Sequence, residues 1–501
     1  MNNTIKISDD VIRQQKNFWN NCVFVPTDGV EDSWGKRILD KMADDNAVQT
    51  VRVFSMFEDI VYMDDDGNLA YDFRTSDSRL DYLVEKGFNI LIAYACVPPC
   101  IALNKNDKTA PSSLGKTRYK GKMLYTSVPK DFKLYENICY EYTKHLIERY
   151  GIEVVSTWYL QCHNEPDLIH FFLKDVPMNE VETRVSSYCE LYKHFEAGIM
   201  RASDKLRIGG PTIAGVGGFL DYFLNYVREN KLRLDYIALH NYSGVNPPHL
   251  NDGSKEISVK RWVDYQQIAY LDVIEKMGFS DCELVMDEWG MVASGHCTIA
   301  QCPPIIARDT EIFSSYYVKL IHTILEKNWD ISKLMICLSG QTEYVAEFQG
   351  SRSFFTTINY IAKPIYNAFV LAAKLYDKLL TTNNNNDNLF VIPTKNDDNQ
   401  YSVLLTYSSD EFKEDIPELN ETLTFDKDIT GKKVVIWCID KETTNPYRLY
   451  EKLGMNELGD KEIKVLREEA KLKPIAEFVA KESDEIQLKL TPNAVYLVQV
   501  I

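Results

Sequence analysis

Short runs of β-branched and aromatic residues alternate with longer amphipathic stretches from about residue 20 to about residue 350. Such runs predict buried strands, and stretches with apolar residues every three or four positions predict helices. Eight strands can be counted, at residues 22–25, 50–54, 89–94, 155–160, 206–209, 236–239, 283–286 and 334–337. The clearest helical patterns lie between them, at residues 135–150, 181–202, 259–277 and 310–327. Eight strands that alternate with helices indicate an α/β fold, the (β/α)₈ or TIM barrel.

The pattern changes near residue 380. Residues 381–388 form a polar run that predicts a loop, and alternating strand-like segments follow it to the end of the chain. Segments at residues 390–392, 401–405, 434–437, 486–490 and 494–498 predict a C-terminal antiparallel β-sandwich. We therefore expect a barrel at residues 14–350 and a β-sandwich accessory domain at residues 351–501.

Composition excludes several classes of partner. The 501-residue chain carries a net charge of −17, whereas capture of nucleic acid or of an anionic membrane needs clustered Lys and Arg. No uncharged run approaches the roughly 20 residues that cross a bilayer, and the N-terminal residues have no apolar signal-peptide core. We expect a cytoplasmic protein, or a secreted one if a signal peptide has been removed, without nucleic-acid or membrane partners. A homo-oligomer stays open as an alternative.

The eleven cysteines are scattered through apolar segments, as is typical of free thiols in a reduced interior. Two spacings invite comparison with a zinc site: Cys96 with Cys100, and His296-Cys297 with Cys302. Neither has the paired two-residue spacing of structural zinc. We therefore expect no metal site.

Two glutamates follow predicted barrel strands. Glu165 comes after the fourth strand and Glu288 after the seventh. The C-terminal ends of barrel strands form the mouth where reacting groups lie, so both are candidate catalytic residues. A carboxylate pair about 5–5.5 Å apart suits double displacement at a sugar, in which Glu288 attacks the anomeric carbon and Glu165 protonates the leaving oxygen. Either glutamate alone would be read as a surface or salt-bridged carboxylate.

Other residues at strand ends are candidates for substrate binding. Asn164 is placed to hydrogen-bond the sugar 2-hydroxyl, and Arg52, on the second strand, to hold Glu288 ionised. The same reasoning extends to residues after the sixth and seventh strands, namely His240, Tyr242 and Trp289. Core roles stay open as alternatives: a buried ion pair for Arg52, a core histidine for His240 and a core aromatic for Trp289.

Several stretches resemble glycoside hydrolase family 39, which includes β-xylosidases and α-L-iduronidases. Asn164-Glu165-Pro166 is similar to its acid/base motif, Asp287-Glu288-Trp289 to its nucleophile motif, and residues 445–455 to a sandwich segment of the bacterial β-xylosidase branch. The resemblance runs nearly end to end. It implies a barrel with a β-sandwich, to which a strand from residues 1–13 is expected to contribute, and it implies no metal or organic cofactor.

Two departures from the family pattern bear on the sugar. His163 stands where the family usually has Trp, and Phe54 stands where a sugar-contacting His often follows the second-strand Arg. Both positions are therefore candidates for altered substrate contacts, and Glu343 is a further candidate for substrate binding. Asp167 is shared with the iduronidase branch, but a uronate would need a basic clamp, and the sequence identifies none.

These observations predict a retaining exo-glycosidase with a carbohydrate substrate. The leading activity is hydrolysis of a β-linked pentoside, as in a β-xylosidase. A different specificity on the same carboxylates is an alternative: α-L-iduronidase, α-L-arabinosidase or hexosidase. A non-catalytic glycan-binding barrel is the rival from another class, and a carbohydrate-binding role for the sandwich is less expected than a structural one because no exposed aromatic row is evident.

Overall fold

The predicted barrel is confirmed by the structure, a computed structural model that describes residues 3–109, 120, 123–215, 217–242, 257–292, 298–339, 347–454, 458–481 and 485–501. Eight parallel strands close into the barrel. In chain order they are β2 (Asn21–Val25), β3 (Thr50–Phe54), β6 (Asn89–Tyr94), β9 (Tyr159–Cys162), β10 (Arg207–Ile213), β11 (Tyr236–Tyr242), β12 (Glu283–Gly290) and β13 (Ile331–Ser339). Pairing of β13 with β2 completes the ring.

Helices connect the strands and continue into the second half of the chain. They are α1 (Ser33–Asp44), α2 (Arg74–Glu85), α3 (Phe132–Tyr150), α4 (Ile152–Val155), α5 (Val181–Ala202), α6 (Phe219–Asn230), α7 (Val259–Tyr265), α8 (Asp272–Lys276), α9 (Glu311–Glu326), α10 (Pro364–Ala372), α11 (Pro446–Lys452) and α12 (Asp460–Glu469). A π-helical turn, Gln266–Leu271, joins α7 to α8. Two small two-stranded antiparallel sheets lie in the βα loops. One pairs β4 (Val61–Met63) with β5 (Leu69–Tyr71), and the other pairs β7 (Lys108–Thr109) with β8 (Leu124–Tyr125).

The fourth barrel strand begins later than predicted. Gly151, at φ 82°, ends α3, and the amide of Val155 then donates to the Gly151 carbonyl, so residues 152–155 form another helical turn. Of this turn, only Val155 fell within the predicted strand, and its buried β-branched side chain is also accommodated in the helical turn. The strand itself starts at Tyr159.

A nine-stranded sheet forms the second part of the fold. Its strands are β1 (Asn3–Gln14), β14 (Lys378–Thr382), β15 (Leu389–Lys395), β16 (Tyr401–Tyr407), β17 (Leu419–Phe425), β18 (Lys433–Ile439), β19 (Pro474–Val479), β20 (Ile486–Leu490) and β21 (Ala494–Val500). Their spatial order is β19-β18-β21-β16-β15-β14-β1-β17-β20. The sheet is antiparallel except where β1 runs parallel to β17.

The predicted loop at residues 381–388 begins two residues too early. Thr381 and Thr382 are the end of β14, which pairs with the N-terminal strand β1. Their partner lies more than 360 residues away in the sequence, so no local pattern reveals the pairing. Polar residues continue a strand when a neighbour supplies the backbone hydrogen bonds.

Apolar packing places the site at the barrel mouth. A cluster drawn only from barrel strands fills the interior, with Val23, Leu91, Tyr159, Tyr236, Ala238, Val285 and Met335 buried. A larger cluster packs the helices around the barrel, and the sheet has its own core. Because these layers are apolar, the buried polar groups at the C-terminal ends of the strands stand out as functional.

The sheet is fixed to the barrel through α9. Glu311 at the start of this helix is fully buried and accepts hydrogen bonds from Arg448, at 2.7 Å, and from Asn445, at 2.8 Å. The hydroxyls of Ser315 and Thr406 meet at 2.6 Å one turn further on. Buried polar contacts of this kind specify one arrangement of the two units.

Membrane-spanning helices and thiols were both considered in the sequence. Within the described ranges, no helix is long and apolar enough to cross a membrane. The ten cysteines in the described part of the chain are free thiols. His296 and Cys297, from the second zinc-like spacing, lie outside the described residues.

Candidate active site

The two glutamates meet at the mouth of the barrel. Glu165 lies in the turn after β9, and Glu288 lies near the end of β12. One carboxylate oxygen of each and a ring nitrogen of His240 all lie within 4.8 Å of one another. The side chains of Glu165 and Glu288 are 13% and 9% exposed, so both are largely dehydrated yet reachable from the mouth.

Strained backbone orients the side chains where the turn after β9 meets β10. His163, Glu165 and Thr212 have φ values of 66°, 43° and 54°, a left-handed conformation that costs about 1–3 kcal/mol for a residue other than glycine. The Glu165 amide donates to the Thr212 carbonyl at 2.9 Å, which ties this turn to β10. The Asp167 carboxylate accepts the amides of Ala214 and Gly215, at 2.9 Å each, and so secures the same junction.

Glu288 is surrounded by donors. Arg52 donates to one carboxylate oxygen and the Tyr242 hydroxyl to the other, both at 2.8 Å. Burial opposes ionisation, but the positive charges of His240 and Arg52, with the Tyr242 hydrogen bond, outweigh it and hold the pKa of Glu288 below its ordinary value. Glu288 is therefore kept as a carboxylate.

Glu165 experiences the opposite shift. Burial raises its pKa, and the negative charge of Glu288 adds to that rise against the hydrogen bond from His240. The Nδ1 atom of His240 lies 2.9 Å from Glu165 Oε1. Two carboxyl groups with pKa values pushed apart in one site are suited to different tasks, one as an acid and one as an anion.

Asp287 lies behind His240 and was missed by the sequence reasoning as a functional residue. Its fully buried carboxylate accepts hydrogen bonds from Thr212, at 2.7 Å, and Gln161, at 2.9 Å, and lies 3.2 Å from Arg52. Burial raises its pKa, but the Arg52 and His240 charges lower it to about 2. The only indication of this role in the sequence was the position of Asp287 next to Glu288.

His240 is an imidazolium held between carboxylates. It is fully buried, and its Nε2 lies 3.4 Å from Asp287 Oδ2. Burial lowers its pKa, but the charges of Glu288 and Asp287 raise it well above the ordinary value. The positive charges of Arg52 and His240 therefore offset the negative charges of Asp287 and Glu288 inside the barrel mouth.

The remaining sequence-predicted residues fall into three groups. Asn164 accepts from Arg52 at 2.6 Å and so joins the cluster, and the Phe54 ring packs 5.1 Å from the Arg52 guanidinium. His163 and Trp289 are buried: His163 packs against Phe172, and Trp289 stacks against Tyr316 and Tyr317. The Trp289 ring is therefore a core aromatic and offers no face to a sugar. Glu343 lies outside the described residues.

Arg352 is a third cation of the site, and the sequence did not indicate it. Its Nη1 lies 3.2 Å from the Tyr242 hydroxyl and 3.4 Å from the Cys337 sulfur. Burial lowers the pKa of Arg352, but the neighbouring Tyr242, Cys337 and Glu288 raise it above the ordinary value, so it stays charged. No motif surrounds Arg352, and only the fold of the described segment from residue 347 onward brings it to the nucleophile side of the site.

The loop that carries Arg352 is anchored by buried charges. Arg308 donates to the Gly350 carbonyl at 3.0 Å, and the Gly350 amide donates to the Asp309 carboxylate at 2.6 Å. Lys363 pairs with Asp309 at 2.6 Å, and both side chains are fully buried. These residues therefore act on the site by fixing a loop.

Glu165, His240 and Glu288 also have the spacing of metal ligands. Arg52 and Arg352 border them and already supply positive charge to the carboxylates. A metal cation would add to that charge and is therefore disfavoured. The donor set instead suits a neutral sugar between two carboxyl groups.

A (β/α)₈ barrel whose mouth brings together two carboxyl groups with pKa values shifted in opposite directions is the arrangement of a glycoside hydrolase. Comparison with known families agrees. A model of the family described as "Glycosyl hydrolases family 39" matches residues 4–484. The chain therefore belongs to glycosyl hydrolase family 39.

Individual relatives resemble the chain in part or in fold. A beta-xylosidase from Caldicellulosiruptor saccharolyticus is 28% identical over 230 residues, which span 45% of this chain and 43% of that protein. A monomeric beta-xylosidase from Caulobacter crescentus has a TM-score of 0.82 at 19% identity and covers 99% of both chains. A bacterial orthologue of human α-L-iduronidase has a TM-score of 0.76 at 16% identity, covering 99% of this chain and 83% of the other. These two solved structures share the fold of this chain.

Proposed function

We propose that the protein is a retaining exo-glycosidase that hydrolyses a β-linked pentoside, with β-xylosidase as its main activity. The observation that carries this proposal is the meeting of Glu165 and Glu288: one carboxylate oxygen of each lies within 4.8 Å of the other, and their pKa values are shifted in opposite directions. Inverting enzymes leave about 6.5–9.5 Å between the carboxyl groups for a water molecule. The partial likeness to a beta-xylosidase supports the choice of sugar.

In the first step, the Glu288 carboxylate attacks the anomeric carbon while the bond to the leaving oxygen breaks. Glu165 gives its proton to that oxygen, so the aglycone leaves as a neutral alcohol. His240 donates to Glu165 Oε1, which leaves Oε2 to carry the transferred proton. Asn164, oriented by Arg52, is placed to bind the sugar 2-hydroxyl as positive charge develops on the ring.

In the second step, water attacks the glycosyl-enzyme and its proton passes to Glu165. Once Glu288 is esterified, its negative charge no longer raises the pKa of Glu165, which then serves as the base. His240 stabilises the resulting Glu165 carboxylate through the same hydrogen bond. The ester bond breaks, Glu288 leaves as a carboxylate, and the sugar keeps its original configuration.

Replacing His240 by glutamine should move both limbs of the pH–rate profile upward by about one unit. The variant removes a positive charge that lowers the pKa of Glu288, so activity falls away at a higher pH on the acid side. It also removes the positive charge that lowers the pKa of Glu165, so the alkaline limb moves to higher pH too. The measurement is kcat/KM against pH on an aryl β-xyloside.

His163→Gln is the matched control for this shift. His163 is equally buried, but burial lowers its pKa to about 4, so it is neutral where the enzyme works. Its replacement should leave both limbs where they are. If the profile of His240→Gln superposes on that of the wild type, the charged role of His240 is wrong.

A uronide is a second candidate substrate, and Arg352 is the observation that favours it. Its guanidinium lies beside Tyr242 and near the nucleophile, where it could pair with a carboxylate on the sugar. A panel of aryl glycosides, including a β-xyloside, an α-L-arabinoside, a hexoside and an α-L-iduronide, separates the candidates. We expect the largest kcat/KM on the β-xyloside.

Arg352→Ala refines the same experiment. If the substrate is a pentoside, the variant loses no ion pair with it, and any preference among the glycosides should persist. If the substrate is a uronide, iduronide turnover should fall by about 100-fold, the usual cost of losing a charged hydrogen-bonded partner. Turnover confined to the iduronide would replace the β-xylosidase assignment.

A further inference from the structure

A cavity of about 1060 Å³ lies between the barrel and the sheet, apart from the active-site residues described above. Its walls come from α1, from α10 and from the segment that runs from α12 toward β19, and Trp437 of β18 also lines it. We call it the interdomain trough. Sites for small molecules commonly measure about 300–1,000 Å³ and favour domain boundaries, so the trough has room for a ligand of several rings.

The trough is positively charged although the chain as a whole has a net charge of −17. Two of its aspartates, Asp40 and Asp45, already lie within 2.7 Å of lysine ammonium groups. Arg37, Lys374 and Arg467 have no carboxylate oxygen within 4.0 Å in the described ranges. Their charges are therefore available to an anionic ligand, and their field opposes that of the surrounding surface.

The three cations are held in place before any ligand arrives. The Arg37 guanidinium lies 4.2 Å from the centre of the Tyr360 ring, and the Lys374 ammonium lies 5.4 Å from that of Trp437. Arg467 donates to a backbone carbonyl at 2.8 Å. Cation–π contacts and such hydrogen bonds reduce the side-chain entropy that binding would otherwise cost.

Half-buried aromatic rings complete the lining. Tyr360 and Trp437 are each partly exposed in the trough, and both combine an apolar ring with a polar edge. Tyr360 also has a φ of 53°, an unfavourable backbone conformation for a bulky residue and one that collects at binding sites. Aromatic rings beside fixed cations suit a ligand that has apolar ring faces and carboxylate groups.

We propose that the interdomain trough is a second, non-catalytic binding site for an acidic oligosaccharide, whose uronate carboxylates pair with Arg37, Lys374 and Arg467 while its rings pack against Tyr360 and Trp437. The site is separate from the reaction at Glu165 and Glu288. It would hold an acidic glycan chain on the enzyme surface while another part of the glycan is hydrolysed.

The test is isothermal titration of the Glu288→Gln variant, which prevents turnover, with tetragalacturonate as the acidic probe and xylotetraose as the neutral one. Tetragalacturonate should bind, and its affinity should fall as salt is raised. Adding Arg37→Ala and Arg467→Ala should weaken that binding by about tenfold or more, since charged hydrogen-bonded pairs with carboxylates are lost. Xylotetraose binding should not respond to these two changes.

Lys205→Ala with Arg228→Ala is the control, because it removes two exposed positive charges that do not line the trough. It should leave tetragalacturonate binding unchanged. In an otherwise wild-type chain, Arg37→Ala with Arg467→Ala should keep aryl-glycoside hydrolysis within about twofold of the wild-type rate. Failure of the proposed binding site would therefore not count against the proposed reaction. Absence of tetragalacturonate binding, equal binding by the trough variant, or full competition by equimolar inorganic sulfate would overturn the proposal.

Discussion

Replacing Glu288 by glycine is expected to lower kcat/KM on an activated aryl β-xyloside by at least about 10⁴-fold, because no other group supplies the nucleophile. The small cavity left by the side chain should admit azide. Added azide should then restore turnover and yield a glycosyl azide of inverted configuration, since a single displacement replaces two. Product configuration is read by nuclear magnetic resonance.

Glu283→Gly is the matched control, because Glu283 is a glutamate at the opposite end of β12, where Tyr159 donates to it at 2.7 Å. Its replacement removes the same atoms from the same strand but should give no azide-dependent product. Undiminished hydrolysis by Glu288→Gly would eliminate Glu288 as the nucleophile. A glycosyl azide of retained configuration from Glu288→Gly would instead mean that this variant has lost the acid/base.

Replacing Glu165 by alanine should have an effect that depends on the leaving group. Hydrolysis of xylobiose should fall by about 10²–10⁴-fold, because the departing sugar alcohol needs a proton. For a dinitrophenyl β-xyloside, kcat/KM should fall by less than about tenfold, since that leaving group departs as a stable anion. Steady-state kinetics on the two substrates measures the difference.

Glu288→Gly provides the internal comparison for this result. Loss of the nucleophile should affect xylobiose and the dinitrophenyl xyloside alike, whereas loss of the acid should separate them. Equal losses on both substrates in Glu165→Ala would contradict a proton-donating role. Azide added to Glu165→Ala should give a glycosyl azide of retained configuration, because Glu288 still forms the covalent intermediate.

Local sequence patterns were sufficient for the barrel. The strands predicted at residues 50–54 and 89–94 match the observed bounds, and α5 starts and ends where the helical period does. The side-chain periods of strands and helices are set by backbone geometry, so they can be read from the sequence without knowing the tertiary structure. Two errors had different causes: a local helical turn at residues 152–155 delayed the fourth strand, and a partner distant in sequence, β1, extended β14 through Thr381 and Thr382.

The positions of Glu165 and Glu288 could also be inferred early. Each follows a barrel strand, and parallel strands bring their C-terminal ends to one rim. The distance between the two carboxylates could not be inferred in that way. It depends on the left-handed turn at Glu165 and on the pairing of β11 with β12, which sets His240 beside Glu288.

The sequence by itself determined the barrel, the family and the rim on which the two glutamates lie, because these follow from local periodicity and from short motifs. The charges of the site were decided only by the tertiary structure. Arg52, His240, Asp287 and Arg352 come from different strands and loops, and each shifts the pKa of another across a few ångströms of dehydrated space. Electrostatic energy depends on distance and burial rather than on order along the chain, so it exists only once the barrel has closed.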